Sequence, residues 1–436
     1  MLIIIGFLLI SFGNYLFYKS YALYEEVKNF DVINGSVEDP GDIYFAYYID
    51  GTVSRNMPSQ NTGYTLDVEK SNCTNGVKIT WNHSTWQGVT DYANYNATSN
   101  TRTKCTLYFN KTSKTISTTL GNIEVNSYIP DFTKSACDDS SCGSHEKGVF
   151  ETTDYDSNPT YYYRGSVENN YVKFAGYYWR ILRINSNGSI RIIYDGTSAH
   201  GNGAISTDRK VDTSEFNLYN NDNMYVGYMY TSGNAHGTGT SSTVKTNVDK
   251  FYAEKLTSYT SKLDANVGFC GDRSALNVIK NDKFGIGSNV SYYSAYYRLI
   301  GSRPSLECNY SSDYYTISSS PVGNKALIYP IGLITIDEMM LAGQSGGFSF
   351  GFYQTSKVNI NNYLTVGFQF WTLTPSGYYV PPDYAYFSSR LLVISAKGYI
   401  GDCDPHNKYA IRPVINIRSD VTITGSGTMT DPYVVN

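Results

Sequence analysis

Residues 171 to 194 read YVKFAGYYWRILRI, a Ser186-Asn187-Gly188 break, and then SIRIIY. Two runs rich in β-branched and aromatic residues with Asn-Gly between them specify an antiparallel hairpin. Asn187-Gly188 suits the positive φ angles of a type I′ turn. A second hairpin signal lies upstream, where IYFAYYID meets Asp50-Gly51 and then TVSR. Short strands are expected to follow at Tyr64 to Val68, Val77 to Trp81 and Thr103 to Phe109, separated by Asn, Ser and Thr clusters.

Two segments carry a helical period instead. From Thr243 to Leu263, Val244, Val248, Phe251, Tyr252, Leu256, Tyr259 and Leu263 share one face, with Ser242 or Thr243 available as N-cap. Thr335 and Glu338 frame a capping box, Met340 and Leu341 form the buried side, and Gly343 suits the left-handed position that ends a helix. WTLTPS, LLVISAKGYI, IRPVINI and TDPYVV then return to strand. The expected fold class is α+β: a small all-β domain, then a larger domain with an antiparallel sheet and two helices. No internal repeat recurs at a fixed period, so a solenoid or propeller is not supported.

Charge narrows the function classes. With 34 Lys plus Arg against 38 Asp plus Glu the net charge is -4, so no basic surplus exists for nucleic acid. Aromatic residues reach 15%, with 43 Tyr, while charged residues fall to 17% against roughly 25% in an average domain. At the N-terminus, Leu2 to Phe17 is an apolar run that reaches the lower limit for a bilayer span once Tyr18 is added. A single N-terminal membrane pass or a signal segment is expected, with Ala22 as the cleavage alternative and the body extracellular. Lys19 alone would favour the opposite orientation, whereas cysteine usage favours export. The seven cysteines lie in polar sequence without zinc or redox spacing. The expected pairs are Cys73 with Cys105, Cys137 with Cys142, and Cys270 with Cys308, leaving Cys403 single, with connectivity open on sequence alone.

The expected organisation is a membrane segment over 1–20, a stalk over 21–36, a small β domain over 37–130, a disulfide-stapled linker over 131–148, and the larger domain over 149–436. Segments 171–196, 329–343, 370–376 and 411–435 resemble exported bacterial surface proteins, mostly of Gram-positive type, with a C-terminal C-type-lectin-like domain. The resemblance covers about residues 150–436 and implies that fold. Its relatives include sugar-binding lectins, formylglycine-generating enzymes and the variable proteins of diversity-generating retroelements, so the fold does not select a function. Calcium-lectin motifs are missing: no Glu-Pro-Asn occurs, and Trp81-Asn82 is followed by His83. The reactive cysteine pair of the formylglycine-generating enzymes also has no counterpart, since Cys270, Cys308 and Cys403 are widely spaced.

No catalytic constellation is complete. Gly343-Gln-Ser345-Gly-Gly347 has the letters of a nucleophile elbow, but it follows a helix rather than a strand. The five His are scattered, and Asp402, Asp404 and His406 read as a solvated loop rather than a metal site. Residues 346–390 combine Tyr, Ser, Gly and Asn in the manner of binding loops. Phe350, Phe352, Phe368, Phe370 and Trp371 read as core, whereas Tyr378, Tyr379, Tyr384 and Tyr386, with Arg390, are expected to form a partly exposed ligand-binding face. The reading is a membrane-anchored surface binding protein for a glycan or protein ligand, without cofactor, metal or catalytic residue. A cell-envelope enzyme with a site scattered in sequence, and a structural envelope component, stay open beside it.

Overall fold

A computed structural model describes residues 43–436 apart from 60–63, 83–84, 92, 96–101, 112–113, 137–145, 276–291, 345–360 and 380–387. The chain divides into two compact units, 1–113 and 114–436.

The smaller unit is a sheet in the order Thr52–Ser54, Tyr44–Ile49, Lys104–Lys111, Tyr64–Leu66. Asn72–Cys73 pairs antiparallel with the Lys104–Lys111 strand as well. Asp50 and Gly51 both have positive φ, at 47° and 80°, as a type I′ turn requires. Along Lys104–Lys111 the side chains of Cys105, Leu107 and Phe109 are fully buried and their neighbours are not, the period-two signature of a half-buried strand. Leu66, Leu107 and Phe109 form the core, ringed by Tyr47, Trp81 and Trp86. The Cys73–Cys105 disulfide joins directly opposed residues of two neighbouring strands.

The larger unit is organised around the long hairpin. Tyr177–Ile184 and Ile190–Gly196 pair antiparallel within an 11-stranded sheet. The hairpin expectation holds, but its turn differs: Gly188 has φ +79° while Asn187 does not take positive φ. Gly188 N–H donates to Asn185 O and Asn185 N–H donates to Ser189 O, each at 2.8 Å, the geometry of a type I turn followed by a left-handed glycine. Asn187 is occupied instead by Asp264, whose Oδ2 receives its Nδ2 at 2.7 Å. The strand Val414–Ile417 lies against the second arm of the hairpin. On the other side Tyr171–Phe174 pairs with the first arm and takes the final strand, Tyr433–Val435, in parallel. A second sheet has the order Asp212–Glu215, Lys408–Ile411, Phe370–Tyr379, Ser388–Ile394, Ile400–Cys403. Trp179, Ile192, Phe370, Trp371 and Leu392 are all completely buried in the core of this unit.

The α+β expectation is corrected to a mostly β chain: 38% of the described residues are strand and 14% helix. Among the described residues the α-helices are Ile116–Leu120 (α1), Thr243–Lys255 (α2), Ser294–Ile300 (α3) and Ile336–Leu341 (α4). The expected helix over Thr243 to Leu263 stops early: the regular turns end at Lys255 and Thr257–Lys262 tightens into a 3-10 segment. Ser242 caps α2, accepting from Lys245 N, and Thr335 with Glu338 forms the expected capping box on α4. No helix among the described residues is long and apolar enough to cross a membrane. The expected membrane helix, and with it the cell-membrane placement with a single N-terminal pass, therefore finds no support among the described residues. The Leu2 to Tyr18 run on which they rested lies outside the described residues.

Cys73–Cys105 closes a loop across a small core, so replacing both residues by Ser is expected to lower the stability of the smaller unit by about 2–4 kcal/mol. Limited proteolysis against denaturant reads this directly: new cleavage confined to residues before 114 is the expected outcome.

Candidate functional site

The expected face around Tyr378 is built differently from its sequence reading. Tyr378 is a packed strand residue, 7% exposed, whose hydroxyl donates to Asn221 O at 3.2 Å; burial pushes the phenol up to about 12. Tyr379 ends the same strand, while Tyr384 and Tyr386 lie outside the described residues, as do Ser345, Phe350, Phe352, Cys137 and Cys142. Arg390 is half-buried and held by Asp402 at 3.3 Å and Asp404 at 3.1 Å, which gives the Asp402–Asp404 tract a guanidinium as counter-charge. Cys403 between them is buried and free of any disulfide. Phe370 and Trp371 are core, and Phe368 packs partly buried against it. Exposed aromatic surface appears instead on the neighbouring segment. Leu218 is 61% and Tyr219 56% exposed, and Tyr219, Tyr225 and Tyr230 follow one another with ring centroids 5.3 Å apart. This segment touches the 370–394 hairpin through Asn220 O, which accepts from Ser389 N.

A concave site lies beside α3. Tyr292, Tyr296 and Tyr297 fall at helical spacing, Tyr292 and Tyr296 stack at 4.2 Å, and Tyr297 stands edge-on to both. Tyr293 N–H donates to Ser376 O, which fixes the start of the helix on the Phe370–Tyr379 strand. After Gly301 the chain turns through Ser302, in the left-handed region at φ +51°, and Arg303 N–H donates back to Arg298 O. The result is a cleft of about 320 Å³ lined by Ser294, Tyr297, Arg298, Arg303, Ser305, Glu307 and Asn309. That is the lower end of the range for small-ligand sites. Cys308, between the lining residues Glu307 and Asn309, is bonded to Cys270, so this expected disulfide tethers the loop.

The floor of the cleft is an ion-pair network. Asp337, in the first turn of α4, holds Arg298 in a two-pronged pair at 2.8 and 2.9 Å, and Asp272 takes the third nitrogen at 2.8 Å. Burial alone would lower the Arg298 guanidinium, but Asp337 and Asp272 outweigh it and hold the group above its ordinary value. Asp337 also accepts from Ser305 N at 3.0 Å, and Asn309 donates to the Ser274 hydroxyl, which in turn donates to Asp272. The cleft wall is therefore wired to its floor. Next to it, Glu338 closes the capping box through Thr335 N and faces Arg183 at 3.3 Å and Arg191 at 2.5 Å. Asp154 completes the set on Arg183 at 2.6 Å. A cavity of about 30 Å³ lies among Asp154, Arg183, Arg191, Asp272, Asp337 and Glu338, room for a water rather than a substrate.

Ser198, His200 and Asp208 come together, but the Ser198 hydroxyl at 3.3 Å and the Asp208 carboxylate at 2.8 Å both meet Nε2 of the histidine. A relay needs them on opposite ring nitrogens, so this cluster is a loop clamp. Among the described residues no three His, Cys, Asp or Glu side chains are grouped to hold a metal. Sequence reading missed the cleft because Arg298 finds its partners 26 and 39 residues away. The available signal was the Tyr292, Tyr293, Tyr296, Tyr297 spacing, which marks a helix with an aromatic face.

Glu338→Gln keeps the shape of the capping box and removes the charge between Arg183 and Arg191. Leaving two guanidiniums short of a buried counter-ion is expected to cost about 3–5 kcal/mol in urea unfolding; a loss under about 1 kcal/mol would show that Asp154 suffices. No protein-family model, curated protein or solved structure matches the chain.

Proposed function

We propose that the chain is a binding protein, without catalytic activity of its own, that takes a glycan in the cleft beside α3. The observation that carries this is the make-up of the cleft. A tyrosine ring, Tyr297, stands in a concave wall with hydroxyl and amide groups from Ser294, Ser305 and Asn309 and with guanidinium and carboxylate groups from Arg303 and Glu307. An aromatic face beside fixed donors and acceptors matches the chemistry of a sugar ring, apolar on its C–H face and hydroxyl-lined at its edge. Charge supports a neutral rather than a strongly acidic sugar. Arg298 is matched by Asp272 and Asp337, and Arg303 is balanced by Glu307, so no positive surplus remains. The floor is preorganised, since Arg298 is held by salt bridges before any ligand arrives.

A protein ligand is the second reading, favoured by the exposed Leu218 and Tyr219 on the ladder with Tyr225 and Tyr230. The two separate in one experiment. The oxidised full chain is titrated with a panel of neutral and acidic oligosaccharides, beside Tyr297→Ala, Arg303→Ala and Tyr219→Ser. Binding of a neutral sugar that weakens roughly tenfold or more in the first two variants and not in the third is expected. Sugar binding unaffected by Tyr297→Ala and Arg303→Ala would remove the cleft from the account. No sugar binding, with a protein captured only while Tyr219 is intact, would favour the ladder.

A further inference from the structure

Among its described residues the larger unit buries seven arginines: Arg164, Arg180, Arg183, Arg191, Arg209, Arg273 and Arg412. Four of them are matched by carboxylates. Glu146 faces Arg164 at 2.7 Å, Asp313 faces Arg273 at 2.8 Å, and Asp154 and Glu338 serve Arg183 and Arg191. The other three, Arg180, Arg209 and Arg412, are fully buried with one carboxylate, that of Asp195, which contacts Arg209 and Arg412. Its Oδ1 receives Arg209 Nη2 at 2.6 Å and Arg412 Nη2 at 3.0 Å. Among the described residues Arg180 has no carboxylate in contact. It lies over the Tyr171 ring at 3.7 Å, its Nε donates to Asn170 Oδ1, and its Nη2 donates to Val167 O and Asn202 Oδ1. Its Nη1 is buried without a hydrogen-bond partner among the described residues.

Against one negative charge, three guanidiniums leave a surplus of two in the interior. A buried charge without its counter-charge costs several kcal/mol, and the same fold avoids that cost everywhere else it buries an arginine. The strain shows in Arg412, which burial draws down to about 9 despite Asp195. Neutral partners such as Asn170, Asn202 and backbone carbonyls satisfy hydrogen bonds but not charge.

We propose that this interior cluster is a binding site for a small monovalent anion of chloride size, held by Arg180 Nη1 and the field of Arg209 and Arg412. Among the described residues Asp195 Oδ2 is also buried without a hydrogen-bond partner, which makes a water bridging it to Arg180 the competing occupant. The two differ in charge and in electron count, and the experiment turns on that. Crystals of the full chain, produced and grown with bromide as the only halide, are expected to give an anomalous peak at hydrogen-bond distance from Arg180 Nη1. In solution, the unfolding temperature at constant ionic strength is expected to rise by about 2 °C for each tenfold exchange of gluconate for chloride. That dependence is expected to vanish in Arg180→Met. A peak without anomalous signal, together with an unfolding temperature indifferent to chloride, overturns the proposal in favour of water. Should Arg180→Met fail to fold, the two wild-type measurements decide alone.

Discussion

The larger unit depends on one carboxylate, that of Glu338. It closes the cap of α4, and it supplies the charge that allows Arg183 and Arg191 to sit inside the central hairpin. A helix of six residues has little stability of its own. Its place is set instead by two buried guanidiniums, of which Arg191 pairs with no other carboxylate among the described residues. The residue before it, Asp337, is thereby fixed as well, and Asp337 is what aims Arg298 at the cleft. Sheet, helix and cleft floor are thus joined through two adjacent acids whose charges cannot be removed independently.

This network also explains why the sequence was legible in some places and silent in others. Asp50-Gly51, the hairpin arms on either side of Asn187-Gly188, the Thr335–Glu338 box and the Cys73–Cys105 and Cys270–Cys308 pairs follow from contacts close along the chain or from the chemistry of one residue type. The fold class did not, because helical period in Thr243 to Leu263 says nothing of how many strands surround it. There, the last turns give way to a 3-10 segment. Tyr378 misled for a related reason. Its Tyr-rich surroundings suggest a loop, but Asn221, brought in from 157 residues away, accepts its hydroxyl and covers it. The arginine clusters leave no local trace at all: Arg412 meets Asp195 across 217 residues. Long-range charge pairing is not periodic, so pattern reading cannot find it.

Tyrosine serves three separate purposes in this chain, which accounts for its abundance. Tyr163, Tyr228, Tyr315 and Tyr363 are fully buried core residues, and Tyr363 spends its hydroxyl on Tyr163 O. Tyr171 gives its ring to a buried guanidinium. Tyr219 faces solvent on its segment, and Tyr297 stands in the cleft wall. Composition reports the sum of these uses and cannot separate them, whereas burial and partners do.

The parallel pairing of Tyr433–Val435 with Tyr171–Phe174 has a consequence for how the protein is made. The strand that flanks the central hairpin is synthesised early and its neighbour some 260 residues later, so for most of translation that edge is an unpaired row of backbone donors and acceptors. Closing it requires a contact spanning nearly the whole unit, the slowest kind to form. The nascent chain therefore carries an exposed β edge until Tyr433–Val435 arrives, and its vulnerability to aggregation is concentrated in that interval.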